Sequence, residues 1–143
     1  MMEDTEPPVH PCDFQEHERA GVAEYLKHQA FYADLASVVA RILEECLKTN
    51  HIKIHSVQHR AKDATSFGHK AAIPSELDPT RPKYDQPIQQ ITDLAGIRII
   101  TQVLGTLPEI DKLLHSEFVV IEQALGQIVP LPEIVLYRCR SPS

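Results

Sequence analysis

A chain of 143 residues can build one small domain with a modest core and is too short for two independent ones. Its 43% hydrophobic and 24% charged residues are ordinary globular values. The formal charge of −6 excludes a broad cationic face of the kind that grips duplex DNA.

Residues 1–14, MMEDTEPPVHPCDF, combine acidic residues with three prolines and read as a disordered leader. From Gln15 to about Lys48, the apolar positions Val22, Tyr25, Leu26, Leu35, Val38, Val39, Ile42, Leu43, Cys46 and Leu47 recur at three- and four-residue steps. That period predicts one long amphipathic helix, ended by the turn-favouring Thr49-Asn50. His51 to about Lys62 reads as a strand entering a polar turn, and Thr65 or Ser66 is placed to cap a short helix reaching Ala72. Pro74 to Pro87 holds four prolines in fourteen residues and is expected to be a long surface loop.

DLAGIRIITQV alternates and is rich in β-branched residues, which predicts a strand at the centre of a sheet. Leu107 to Ser116 reads as a short helix with Ile110, Leu113 and Leu114 on one face, and FVVIEQ at 118–123 as a further strand. No clean period follows, so 124–143 is taken as an irregular or divergent tail behind a domain spanning 15–123. The order helix, strand, helix, loop, strand, helix, strand gives an α/β (α+β) class: a mixed sheet flanked by helices, with a long N-terminal helix.

Positive charge is local. Ten acidic residues stand against four basic ones in 1–50, three against six in 51–83 and seven against four in 84–143. One basic island in an acidic chain suits a compact anion such as a nucleotide polyphosphate. Its centre is HRAKDATSFGHK, residues 59–70. On the strand end, Arg60 and Lys62 share a face because side chains alternate with period two. Ser66 and Lys70, four apart, share a helix face, so a hydroxyl, an ammonium and the helix N-terminal amides can converge on phosphate oxygens. The competing reading is a solvated charged turn. A Walker-type loop is excluded, because His69 separates Gly68 from Lys70.

Asp93, before the central strand, is either a Mg²⁺ ligand beside a polyphosphate or a turn-forming aspartate. Alternation puts Arg98 on the face opposite Asp93, as a structural ion pair or part of a second contact surface. His51, His55 and His59 would share only a strand face, and Cys46 falls on the apolar side of the long helix as a core residue. Cys12, Cys46 and Cys139 form an odd set without a C-x-x-C pair, no signal sequence opens the chain, and no run approaches the roughly 20 apolar residues of a membrane span. A reduced, cytoplasmic protein that contacts neither DNA nor membrane is expected.

HRAKDATSFGHK followed by ITDLAGIRIIT resembles the synthetase domain of the RelA/SpoT family of alarmone (ppGpp) synthetases. The likeness runs from near Tyr25 to about Glu122 and rests on R-x-K-x-x-x-S-x-x-x-K at 60–70 and D-L-x-G-x-R-I at 93–99. It implies a nucleotidyltransferase-like fold that moves the β,γ-pyrophosphate of ATP to the 3′-hydroxyl of GDP or GTP. Arg60, Lys62, Ser66 and Lys70 then stand where the family contacts ATP, and Asp93 where it binds Mg²⁺. The family's guanine-stacking Y-x-S-x-H segment has no counterpart in the sequence, and EIVLYR at 133–138 lacks the glutamine of its later E-x-Q-x-R-T strand. The resemblance therefore covers the donor half, with the acceptor half missing. Weak transfer is expected, or an inactive ATP-binding or regulatory module, or a truncated piece of a longer product.

Overall fold

A computed structural model describes residues 11–119 and the backbone of Glu133–Tyr137. Helix α1 (Phe14–Thr49) is followed by strand β1 (Ser56–Ala61), helix α2 (Ala64–Ala71), a single turn α3 (Pro87–Gln90), strand β2 (Ala95–Ile100), a 3-10 turn (Leu104–Thr106), helix α4 (Leu107–Glu117) and strand β3 (Glu133–Tyr137). This is an α+β chain with a long N-terminal helix. No helix among the described residues is long and apolar enough to cross a membrane.

Two compact units divide the chain. One comprises Met1–Lys27 with Asp63–Ile91, the other His28–Lys62 with Thr92–Ser143.

In the first unit, Asp13 Oδ1 accepts the Gln15 and Glu16 amides at 3.1 and 3.2 Å and so starts α1 as an N-cap. Helix α2 packs here through Phe67, Gly68 and Ala71. The Phe67 ring stacks on Tyr25 with centroids 4.4 Å apart and planes 12° from parallel, and both rings are fully buried. A Cβ added to Gly68 would lie 2.8 Å from Val22 Cγ2 and 3.1 Å from Glu18 Oε1, so a glycine is what lets α2 approach α1 this closely. The proline-rich segment is a loop, as expected, but it folds back on itself. Pro74 bridges Pro82, the Lys83 amide donates to the Ile73 carbonyl at 2.8 Å, and the Ser75 amide to the Arg81 carbonyl at 2.9 Å. His17 Nε2 donates to the Tyr84 carbonyl at 2.7 Å and pins one end of it.

In the second unit the strand order is β1-β2-β3, and both pairings are antiparallel where a mixed sheet is expected. DLAGIRIITQV does supply the central strand. Ile97 and Ile99 on one of its faces form the core with Leu43 and Leu47 from α1 and Ile110, Leu113 and Leu114 from α4. Cys46 packs against this cluster, in keeping with its place on the apolar side of α1.

Helix α1 ends here in a Schellman motif. His51 takes a left-handed backbone with φ 57°, its amide donates to the Lys48 carbonyl at 3.1 Å, and the Ile52 amide reaches back to Leu47 at 2.9 Å. Strand β1 starts at Ser56 rather than His51, because Ser56 pairs with Ile100, the last residue of β2; upstream of it the His55 amide still donates to the Ile100 carbonyl at 2.8 Å, but no further residue pairs. Ile52 and Ile54 pack on the core without strand pairing. The strand expected at 118–123 is absent at Phe118 and Val119, and the rest of it lies outside the described residues. The third strand comes instead from Glu133–Tyr137, inside the tail that sequence leaves without a period. Its residues EIVLY do not alternate apolar with polar, so no period of two marks it in the sequence.

Candidate functional site

Register decides which side chains meet on the sheet. In β1 and β2 directly paired residues share a face, so Gln58 opposite Arg98 and Arg60 opposite Gly96 stand together on the side away from Ile97 and Ile99. Arg60 and Arg98 are therefore diagonal neighbours across one face. Gly96 contributes no side chain between them, and an open cavity of about 580 Å³ forms there, lined by Gln58, Arg60, Gly96 and Arg98 among others. Both arginines are exposed. Two guanidinium groups on either side of a glycine form a surface that suits a planar or anionic ligand group.

Lys62 lies one residue past β1. Its amide donates to the Leu94 carbonyl at 2.8 Å, and its own carbonyl accepts from Gln29 Nε2 at 3.3 Å, so the backbone is held on both sides. The ammonium donates to Asp93 Oδ2 at 2.9 Å, with side chains only 11% and 18% exposed. A pair this shielded keeps much of its Coulomb attraction. Strict alternation separates Asp93 from the cationic face, but a bend at Leu94 precedes β2 and breaks the period there. Arg60, Lys62, Arg98 and Asp93 all belong to the second unit.

Ser66 and Lys70 belong to the first unit, on α2. They sit one turn apart on the side away from the buried Phe67, Gly68 and Ala71. The cap of this helix is Asp63, not Thr65 or Ser66: Asp63 Oδ2 accepts the Ser66 amide at 3.1 Å. Aspartate is among the strongest N-cap residues, and here it precedes Ala64 directly. The correction has a chemical consequence. One helix amide expected to face phosphate is already satisfied, by a carboxylate that places negative charge at the same end.

Sequence reading thus names Lys62 and Asp93, which the fold joins directly, and Arg60, which it sets at the recess. It assigns Arg98 elsewhere. The signal for Arg98 is the pairing of two strands, which a single chain text does not print. Among the described residues no three His, Cys, Asp or Glu side chains converge on one point. Mg²⁺ usually takes one or two protein carboxylates together with substrate phosphates, and Asp93 is a carboxylate at this end of the sheet, accepting from Lys62.

No protein-family model, curated protein or solved structure matches the chain.

Proposed function

We propose that the chain binds ATP through its cationic sheet face and is the donor half of a RelA/SpoT-type pyrophosphotransferase on a nucleotidyltransferase-like fold. The observation that carries this reading is the Lys62–Asp93 pair at 2.9 Å, a cation and a carboxylate side by side at the sheet end that also bears Arg60. A triphosphate with Mg²⁺ presents the complementary pair, anionic oxygens for Lys62 and a hard cation for Asp93.

In the reaction so assigned, the 3′-oxygen of GDP or GTP attacks the β-phosphorus of ATP. The bond from that phosphorus to its α,β-bridging oxygen breaks, AMP leaves, and the hydroxyl proton passes to base or solvent. Mg²⁺, when bound, neutralises charge on the phosphate oxygens. Arg60, Arg98 and Lys62 bind and orient the donor, and Ser66 and Lys70 are assigned to the same ATP through the motif R-x-K-x-x-x-S-x-x-x-K. Without a Y-x-S-x-H segment the acceptor lacks its positioning group, and transfer is expected to be slow at best. A cytoplasmic setting, where ATP, GDP, GTP and Mg²⁺ coexist, goes with this assignment.

Calorimetry with ATP and Mg²⁺ tests the binding, and labelled ATP with GDP or GTP tests the transfer. Affinity that collapses in Lys62→Ala and Lys70→Ala supports the donor site. Binding without any labelled guanosine product leaves a regulatory ATP-binding module, and no ATP binding by a folded chain sinks both readings.

A further inference from the structure

Helix α1 carries two apolar faces within the second unit. At roughly 100° per residue, the buried Tyr32, Ala36, Ala40, Leu43 and Leu47 centre on one direction. Phe31, Leu35, Val38 and Ile42 centre roughly 130° away from it. Phe31, Val38 and Ile42 are 54%, 43% and 49% exposed, and none of the three belongs to the core. Their steps of four, three and four are those of d, a, d, a in a heptad, the spacing of a two-helix seam. On one edge of this seam Asp34 and Arg41 occupy successive g positions, and both are exposed.

From this stripe we infer that α1 is a self-association surface, where a second copy of the chain packs as a short antiparallel helix pair about a two-fold axis near residues 36 and 37. In that register Phe31 meets the partner's Ile42, and Leu35 meets the partner's Val38. The antiparallel arrangement sets g against g, so Asp34 faces the partner's Arg41 and, by symmetry, Arg41 faces the partner's Asp34. At the seam ends Glu45 faces the partner's His28. A parallel pair instead sets Glu45 on Glu45 and His28 on His28, and leaves Asp34 against the partner's Val39. Lys27 and the partner's Lys48, the outermost g positions, meet as like charges beyond the apolar stretch, so it is the central Asp34–Arg41 contacts, together with Glu45 and His28, whose complementarity favours a copy of the same chain in the antiparallel direction.

Four apolar residues per copy make a small interface, so a dissociation constant on the order of tens of micromolar is expected. Sedimentation equilibrium on the full chain, from about 5 µM to about 1 mM, measures it. Val38→Glu with Ile42→Glu should weaken association at least about 100-fold while circular dichroism shows unchanged helicity, since both positions are exposed. Asp34→Arg alone, or Arg41→Asp alone, should weaken it about tenfold, because like charges then meet twice. The two together restore the opposite-sign contacts and should restore wild-type affinity. A wild-type chain that stays monomeric to about 1 mM, a dimer indifferent to the Val38/Ile42 variant, or a double swap that fails to rescue would each overturn the inference.

Discussion

Lys62 and Asp93, thirty-one positions apart in the chain, meet at 2.9 Å where β1 runs out and β2 is about to begin. Neither residue is on a strand, and the contact arises because the β1–β2 ladder brings their backbones together through the Lys62–Leu94 hydrogen bond. A cation and a carboxylate are thereby held close, mostly out of water, at one end of a sheet face that already carries two arginines.

Removing one member of that pair takes a hydrogen-bonded counter-charge at 2.9 Å from the other, in a place mostly shielded from water. Lys62→Met and Asp93→Asn should each cost about 1–3 kcal/mol, below the full penalty for a completely buried pair because both groups retain some exposure. Urea unfolding of both single variants and the double variant checks this. A double variant less destabilised than the sum of the singles is the expected coupling.

Gly68 is a packing residue. Gly68→Ala puts a methyl group 2.8 Å from Val22 Cγ2, and α2 must withdraw from α1 to admit it. A loss of about 1–3 kcal/mol is expected. Val22→Ala in the same chain should recover part of that loss, which thermal unfolding measured by calorimetry would reveal.

Asp63 caps α2 through the Ser66 amide. Asp63→Ala should cost about 1 kcal/mol, and Asp63→Asn, which keeps an accepting oxygen, much less. Denaturant midpoints compared at constant slope separate the two.

At the other end of α1, His51 holds φ 57°, a conformation glycine adopts without steric cost. His51→Gly should stabilise the chain by about 0.5–1 kcal/mol, the relieved strain exceeding the added freedom of the unfolded chain. A higher melting temperature is the readout.

Asp78 in the proline-rich loop accepts the Thr80 hydroxyl at 2.6 Å and the Thr80 amide at 3.0 Å, and these bonds hold its carboxyl below the ordinary aspartate range, with Arg81 adding to the effect. A carboxyl depressed in the folded state contributes stability above its unfolded pKa and loses it as pH falls through the folded value. Thr80→Val, which removes the hydroxyl and keeps the amide, should move the Asp78 titration upward. Carbon-detected NMR titration follows it directly.

Local signals carried much of the fold because they act within one element. The three- and four-residue recurrence from Val22 to Leu47 locates α1 to within a residue or two of Phe14–Thr49, and the β-branched run after Asp93 locates the central strand. Elements that exist through a partner were less legible. His51–Ile54 has strand composition but no ladder partner, and His55 makes only an amide bond to the Ile100 carbonyl, while Glu133–Tyr137 is short and gains its identity from pairing with β2.

The same division runs through the candidate site. Sequence by itself determined which residue types cluster: a basic island in an acidic chain, Ser66 and Lys70 one helical turn apart, and a carboxylate ahead of a strand. Charge and helical spacing are properties of neighbours along the chain, so no fold is needed to read them. Only the tertiary structure decided that Asp93 lies against Lys62, that Arg98 shares a face with Arg60 across Gly96, and that Asp63 takes the α2 amide expected for phosphate. Each depends on a contact whose partner is fixed by strand register, by a bend at Leu94 that resets side-chain parity, or by the exact start of a helix.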